Sequence, residues 1–441
     1  MMDGMKQTGI RWIGEVPSDW TLLKMKHFSY MKGRIGWQGL TADEFIEEGP
    51  YLITGTDFEN GHVCWDRCYH ISEKRYNEAV PIQVRIGDLL VTKDGTIGKL
   101  AYIDELPGKA SLNSHLLVIR PIGGKYINKF MYWVLYSSVF QGYYEFESYG
   151  STMDSLSQEK IGEFSFYAPS VSEQKLIADY LDNKCAKLDE IIAAVQQQID
   201  TLKTYKKSLI TESVTKGLTK NVAMKDSGIS WIGAVPEHWG VKRLKYVLRA
   251  PLQYGANEAG DDYNEDYPRY IRITDISEDN ELKEEGKLSL LPKLAKSYLL
   301  SEGDVLFARS GATVGKTFFY EEKYGTAAFA GYLIRACTNP DTLLPRFLYY
   351  TTLGIGYENW KNTVFTQATI QNIGADKYSQ LIVTVPPKNE QKDIIQFLDT
   401  ECSKIEEVIN DKYCQLESMQ GHKSSLIYEM VTGKKRIKEV M

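Results

Sequence analysis

Two glycine-rich segments hold the residues of this chain best suited to gripping phosphate or the edges of bases. Gly87 to Lys99 reads GDLLVTKDGTIGK, and Gly303 to Lys316 reads GDVLFARSGATVGK. Each is a Gly-Asp turn, an apolar strand and a glycine loop that ends in Gly-Lys. The stretch Ser310 to Thr317 comes close to the pattern Gly-x-x-x-x-Gly-Lys-Ser/Thr, in which backbone N–H groups cradle phosphates and the hydroxyl holds magnesium. Ser310 stands where the first glycine belongs, and the earlier copy follows Gly98-Lys99 with Leu100, which has no hydroxyl. A nucleotide-hydrolysing site is therefore not expected. Recognition fits better: a hairpin or strand-loop with glycines brings backbone close to a partner, and Lys93, Lys99, Arg309 and Lys316 offer charge to phosphates or guanine edges.

The candidate DNA contacts are then Lys93, Asp94, Gly95, Thr96, Gly98 and Lys99 in one loop, and Arg309, Ser310, Gly311, Ala312, Thr313, Gly315 and Lys316 in the other. Ser151 and Thr152, and Thr366 and Gln367 in the second half of the chain, are polar residues that either contact bases or cap helices. For all of these a structural turn is the rival reading. No catalytic residue is nominated. Cys64 and Cys68 with His62 and His70 are the only metal-like grouping, but no second pair stands at finger or ribbon spacing, so no metal site is expected. Cys185 and Cys402 read as small buried thiols.

The elements that must carry the loops follow from internal repetition. TGIRWIGEVPSDW (Thr8 to Trp20) returns as SGISWIGAVPEHW (Ser227 to Trp239), with 8 of 13 positions identical at an offset of 219 residues. Glu173 to Gly217 realigns with Glu390 to Lys434 at an offset of 217, with 18 of 45 matching. The chain is a tandem duplication, each copy a variable body followed by a repeated tail. At 441 residues it exceeds what one core supports.

The tails read as long helices. Apolar residues recur at Leu188, Ile192, Val195, Ile199, Leu202 and Leu209, alternating four and three apart, and the second tail keeps the register at Ile405, Ile409, Leu416, Met419 and Leu426. That is a coiled-coil seam. Lys206 and Lys423 interrupt it at equivalent positions. Two similar helices in one chain pack most simply antiparallel about a pseudo-two-fold axis; a rod from Ala186 to Lys216 would be about 45 Å long, spanning about 13 base pairs of duplex. Upstream of each rod, SVSEQKLIADYLDNK and PKNEQKDIIQFLDTE read as a short amphipathic helix, with Ser172 and Asn389 as N-caps. Glycines lie near both helix exits.

Both bodies read as mixed α and β with many short strands: Tyr51–Thr54, Asp88–Thr92, Leu116–Arg120 and Glu163–Ala168, then Tyr270–Ile273, Asp304–Ala308, Tyr332–Ala336 and Gln380–Val385. The tryptophans of the repeated entry motif, Trp12 and Trp20, Trp231 and Trp239, are expected to pack that segment on its own body. No apolar run approaches the roughly 18 residues of a membrane span, and no apolar leader follows Met1, so a cytoplasmic protein is expected. A net charge of -6 argues against indiscriminate nucleic-acid affinity, since phosphate contacts need Lys and Arg. Locally, an acidic stretch from Glu258 to Glu285 contrasts with a basic cluster of Lys203, Lys206, Lys207, Lys216, Lys220 and Lys225; solvated surfaces are the plain reading of both.

GIxWIGxVPxxW, the Gly-Asp strand-loops and the SEQK or NEQK start of each tail together resemble the specificity (S) subunit of type I restriction-modification systems, over nearly the whole chain and in order. The resemblance implies an α+β chain of target recognition domains at 1–170 and 220–387, each followed by a helical spacer, 171–219 and 388–441. It implies that each domain reads one half of a split double-stranded DNA target, while the spacers pair antiparallel and set the unread gap. It further implies two modification (methyltransferase) subunits and restriction (translocase-nuclease) subunits as partners, in a prokaryotic cytoplasm. S-adenosylmethionine, ATP and magnesium would sit on those partners, with no cofactor in this chain.

Two rival functions stand against this reading. A duplicated adenine methyltransferase needs an Asn-Pro-Pro-Tyr-like loop for the flipped base and a glycine-rich turn after a strand for its cofactor, and neither occurs. A scaffold that never touches DNA would leave the cationic loops without a role.

Overall fold

The computed structural model describes residues 4–33, 40–148, 156–277, 280–311, 313–366 and 372–439. The chain divides into two compact units, one made of residues 1–195 and 414–441, the other of 196–413. Both cuts fall inside a long helix, so each unit owns a body plus half of each tail.

In the first unit the centre is a four-stranded antiparallel sheet. Leu89–Thr92 lies between Leu100–Tyr102 and Leu116–Pro121, and Ser29–Gly33 forms the far edge. Its apolar runs are continuous because both faces are covered. Leu89, Val91, Leu117 and Ile119 enter one core with Phe130, Val134 and Leu181. The alternate residues Leu90, Leu116 and Val118 enter a second core with Ile53, Ile82 and Leu112. A smaller sheet pairs Ala110–Leu112 parallel with Ile46–Ile53.

The second unit has the same strand order. Val305–Ala308 lies between Thr317–Phe319 and Leu333–Ala336, with Gln253–Tyr254 at the edge. Val305, Phe307 and Ile334 face one core; Leu306, Ala308, Phe318 and Leu333 face another. A parallel pair, Arg269–Ile271 with Ala327–Phe329, again lies in a separate sheet. Every strand expected from sequence is present, most trimmed by one or two residues at an end because the Gly-Asp and polar flanks form turns; Tyr51–Thr54 and Tyr270–Ile273 start earlier, at Ile46 and Arg269, and Leu116–Arg120 runs on to Pro121.

Both tails are single helices, Val171–Lys216 and Lys388–Thr432. The expected short helix and rod are therefore one element in each copy, since no glycine or proline interrupts the junction. The expected caps at Ser172 and Asn389 are corrected as well. Ser170 caps the first helix, accepting from the Glu173 N–H at 3.3 Å while its carbonyl accepts the Gln174 N–H at 2.9 Å. In the second, the Pro387 carbonyl takes that place for the Gln391 N–H, at 3.0 Å, and Asn389 lies one residue inside the helix. Proline has no N–H and suits a helix start.

All eleven seam residues are buried or half-buried, and Ile210 lies deeper than its neighbour Leu209. Lys423 donates to both carboxylate oxygens of Asp189, at 2.6 and 2.7 Å, in the first unit. In the second, Lys206 donates to Glu406. These are one interaction made twice, because Asp189 and Glu406, like Lys206 and Lys423, are separated by the 217-residue repeat offset. Most of the basic cluster is spent on such local pairs: Lys203 on the Tyr413 hydroxyl at 2.8 Å, Lys207 on Glu358 at 3.3 Å, Lys225 on the Glu237 carbonyl at 2.6 Å. Each helix exits through a left-handed glycine that lies against a buried tryptophan of the entry motif. Gly217 (φ +76°) meets Trp239, and Gly433 (φ +69°) meets Trp20.

Candidate nucleic-acid interface

The two glycine loops join antiparallel neighbours and so are hairpin tips, built on identical frames. In the first unit the Lys93 N–H donates to the His115 carbonyl at 2.9 Å, and the Leu156 N–H donates to the Lys93 carbonyl at 2.7 Å. In the second the Arg309 N–H donates to the Tyr332 carbonyl at 3.0 Å, and the Ile373 N–H to the Arg309 carbonyl at 2.8 Å. A cationic residue thus leaves the central strand at the same point in both units, pinned on both sides by backbone. Gly95 (φ +69°) and Gly98 (φ +81°), Gly311 (φ +82°) and Gly315 (φ +83°) turn the loops through left-handed conformations.

Stabilisation of the tips differs. In the first loop the Thr92 hydroxyl donates to the Thr96 carbonyl and accepts the Lys99 N–H at 2.9 Å, closing the turn with a side chain. The second loop is one residue longer and has Ala308 at that place. Two tyrosines support it from beneath, Tyr378 donating to the Ala308 carbonyl and Tyr357 to the Gly315 carbonyl, both at 2.8 Å. A Cβ on Gly315 would come within 2.3 Å of the Lys361 side chain, so the glycine is needed for space as well as conformation.

The nominated residues do not behave alike. Lys99, Gly95, Thr96, Gly311 and Thr313 are exposed, and Lys93, Asp94, Gly98, Arg309 and Ser310 are half-buried. Asp94 is hydrogen-bonded to the His115 ring, so its carboxylate is engaged beside the cations. Lys316 reaches back to the Ser277 carbonyl and braces the loop from within the unit. Ser151, Thr152, Ala312 and Gln367 lie outside the described residues, as does the side chain of Thr366.

Sequence reading passed over several residues that hold the site in place. Asp88, of the Gly-Asp turn, is buried, accepts the Arg85 N–H at 2.8 Å, and takes a bidentate pair from Arg120 at 2.7 Å on each oxygen. Its counterpart Asp304 accepts the Ser301 N–H at 2.9 Å and lies 3.6 Å from the Arg335 guanidinium. Behind the first strand-loop, Thr54-Gly55-Thr56-Asp57 forms a tight 3-10 turn, with the buried Asp57 carboxylate accepting the Thr54 N–H at 2.7 Å. Burial pushes the Asp57 carboxyl above its ordinary range, against the pull of those bonds. Arg272 to Asp275 repeats the turn in the second unit.

The glutamine of SEQK and NEQK is the anchor between body and tail. Gln174 is fully buried, accepts the Ile127 N–H at 3.0 Å, and donates to the Lys125 and Pro169 carbonyls at 3.0 and 2.9 Å. Gln391 does the same with the Leu344 N–H at 2.7 Å and the Thr342 and Pro386 carbonyls at 2.9 and 2.8 Å. The motif itself was the signal, since a side-chain amide offers an acceptor oxygen together with two N–H donors, the set that one N–H and two carbonyls require.

Comparison with known proteins places the chain in a family. A family model described as the type I restriction modification DNA specificity domain matches twice, over residues 28–201 and 236–417. The chain belongs to that family. As a specificity subunit it carries two specificity domains, and its part in such a system is DNA target recognition, not catalysis. The type I restriction enzyme StySPI specificity subunit of Salmonella potsdam is 25% identical, with 92% of this chain and 88% of that protein aligned. The MjaVIII specificity subunit of Methanocaldococcus jannaschii is 22% identical over 96% and 95%, and the putative MjaX specificity subunit of that organism 23% identical over 58% of each chain. A solved chain from a study of complex assembly and conformational transition of the type I R-M system superposes with a TM-score of 0.71 at 13% identity, covering 95% of this chain and 99% of that one. No described helix of the specificity subunit is long and apolar enough to cross a membrane.

Proposed function

We propose that residues 1–170 and 220–387 each read one half of a bipartite double-stranded DNA target, and that the helical spacers 171–219 and 388–441 fix the unread gap. The two tails pair antiparallel as a coiled coil within a pseudo-two-fold internal duplication. One observation carries this reading: the scaffold is repeated down to single hydrogen bonds, whereas the hairpin tips that carry cations differ in length, support and charge. Duplicated frames with unlike tips suit two unlike words of sequence. The crossed pairs Asp189–Lys423 and Lys206–Glu406 support the antiparallel register. Within the second unit, Lys203 meets Tyr413 while the later Lys206 meets the earlier Glu406, as opposed helices require.

The nominated loop residues are the contacts in this reading, with Lys93, Lys99 and Arg309 as its charge donors. Two modification subunits carrying S-adenosylmethionine and restriction subunits using ATP and magnesium supply the chemistry, and this chain holds no cofactor. Their surfaces also supply phosphate contacts that a chain of net charge -6 does not. The proposal is tested by removing one heptad from each helix and mapping methylated sites. Seven residues shorten the rod by about 10 Å, or about three base pairs, so the gap contracts while both half-sites persist. An unaltered gap would overturn the ruler.

A further inference from the structure

We infer that Arg309 reads a guanine in the half-site of the second unit, and that Tyr254 is the positioning residue that holds it; this deepens the DNA-reading proposal above and rests on it. Three segments converge on Arg309. Its guanidinium carbon lies 5.0 Å from the centre of the Tyr254 ring, within cation–π range. The Tyr254 hydroxyl oxygen is itself held by the Ala375 N–H at 2.9 Å. Ser310 bridges to Asn372, and Ile373 bonds the Arg309 carbonyl, so the residue's backbone is fixed on both sides.

Within this clamp Arg309 Nε is buried and has no hydrogen-bond partner among the described residues. A buried, unsatisfied donor on a charged group is costly to a folded chain, so the guanidinium is held here without being neutralised by an internal acceptor at Nε. A planar guanidinium already stacked on a ring has lost most of its rotamer freedom. It is suited to the two-acceptor edge of guanine, O6 and N7, which arginine binds in bidentate fashion. A phosphate contact needs only a mobile charge, and the half-buried Lys93 supplies that at the same frame position of the first unit.

Sheet register supports the assignment. Tyr254 pairs with Ile334, and Ile334 with Phe307, two residues before Arg309. In the first unit Gly33 pairs with Leu117, and Leu117 with Val91, two residues before Lys93. Gly33 therefore occupies the place of Tyr254. The ring and the arginine occur together, and the lysine stands where there is no ring.

The test is a methylation profile of the intact modification complex carrying this chain or its variants. Arg309→Ala is expected to relax one G·C position in one half-site by about 10- to 100-fold, with the other half-site unchanged. Arg309→Lys should relax the same position partly. Tyr254→Ala should weaken discrimination there and nowhere else, and Tyr254→Phe, which keeps the ring, should restore it. Equal loss at every sequence would mean a phosphate contact and overturn the inference, as would unchanged specificity. Should Arg309→Ala fail to fold, Arg309→Lys and Tyr254→Ala decide the question alone. If the unaltered chain directs no sequence-specific methylation, the DNA-reading proposal itself fails, a distinct result.

Discussion

At the exit of its central strand the first unit carries Lys93 beside Gly33, the second Arg309 beside Tyr254, on strands that correspond in order and register. The frame beneath these residues is shared in four parts: the pinned backbone at the strand exit, the Gly-Asp turn, the 3-10 turn behind it, and the glutamine that ties each body to its helix. Divergence is greatest where a side chain leaves the frame, with a smaller difference inside it at the Asp88 and Asp304 pairs. The lesson is that a duplicated protein keeps interactions whose loss would leave buried groups unpaired, and changes the ones that face outward.

The largest expected effects fall on the shared frame and should be equal. Replacing Gln174 or Gln391 with Ala strands one N–H and two carbonyls in a buried setting, at a cost of about 3–5 kcal/mol. Denaturant unfolding of the two variants should give losses matching within about 1 kcal/mol. A large disparity would break the claim that both units use one anchor.

Next comes an asymmetry inside the frame. Asp88 holds a bidentate pair with Arg120, whereas Asp304 stands 3.6 Å from Arg335 and accepts the Cys337 thiol. Asp88→Asn is expected to cost about 3 kcal/mol and Asp304→Asn about half of that, read as a difference in thermal midpoint. Equal losses would show that geometry at this pair is not what matters.

The tips can be exchanged in one direction only. A Cβ at Gly33 would come within 2.9 Å of the Leu116 carbonyl oxygen, so Gly33→Tyr forces the sheet edge to shift, at about 1–3 kcal/mol. Tyr254→Gly meets no such backbone conflict at its own position and should cost less; calorimetry on both variants would show whether the edge is as rigid as this requires.

A subtler comparison is electrostatic. Burial raises the Cys185 and Cys402 thiols to about 11, disfavouring the thiolate in both tails. A folded-state value above the unfolded one means stability is fully present below about pH 8.5 and falls as pH rises through about 11. Alkylation of the native chain should therefore stay slow at both thiols until well above pH 9 and then rise in parallel. Smallest of all, Lys206→Met and Lys423→Met each remove one exposed-edge ion pair, and a change of about 1 kcal/mol or less is expected. The better-shielded Lys423, with 14% of its side chain exposed against 24% for Lys206, should show the greater loss in low salt.

Much of this was legible in the chain itself because it depends on local, periodic features. The repeat, the helical seam and the central strands are written in spacings of four and three and in apolar runs bounded by Gly-Asp. Ile199 and Leu416, two positions of that spacing, are buried. Less legible were the caps, where Ser170 and Pro387 outcompete the expected Ser172 and Asn389, since a cap depends on where backbone bonding begins.

Sequence alone thus determined that there are two copies, where their helices lie, and that cationic glycine loops top the central strands. Only the tertiary structure decided which of those cations remain available. Lys316 is taken up by the Ser277 carbonyl, while the Asp94 carboxylate next to Lys93 is held by the His115 ring, and Arg309 is paired with Tyr254 from a two-residue edge strand far away in the chain. Periodicity is a property of neighbours in sequence. Which acceptor or ring a side chain meets is settled by strand register and burial, which bring together residues that no spacing rule connects.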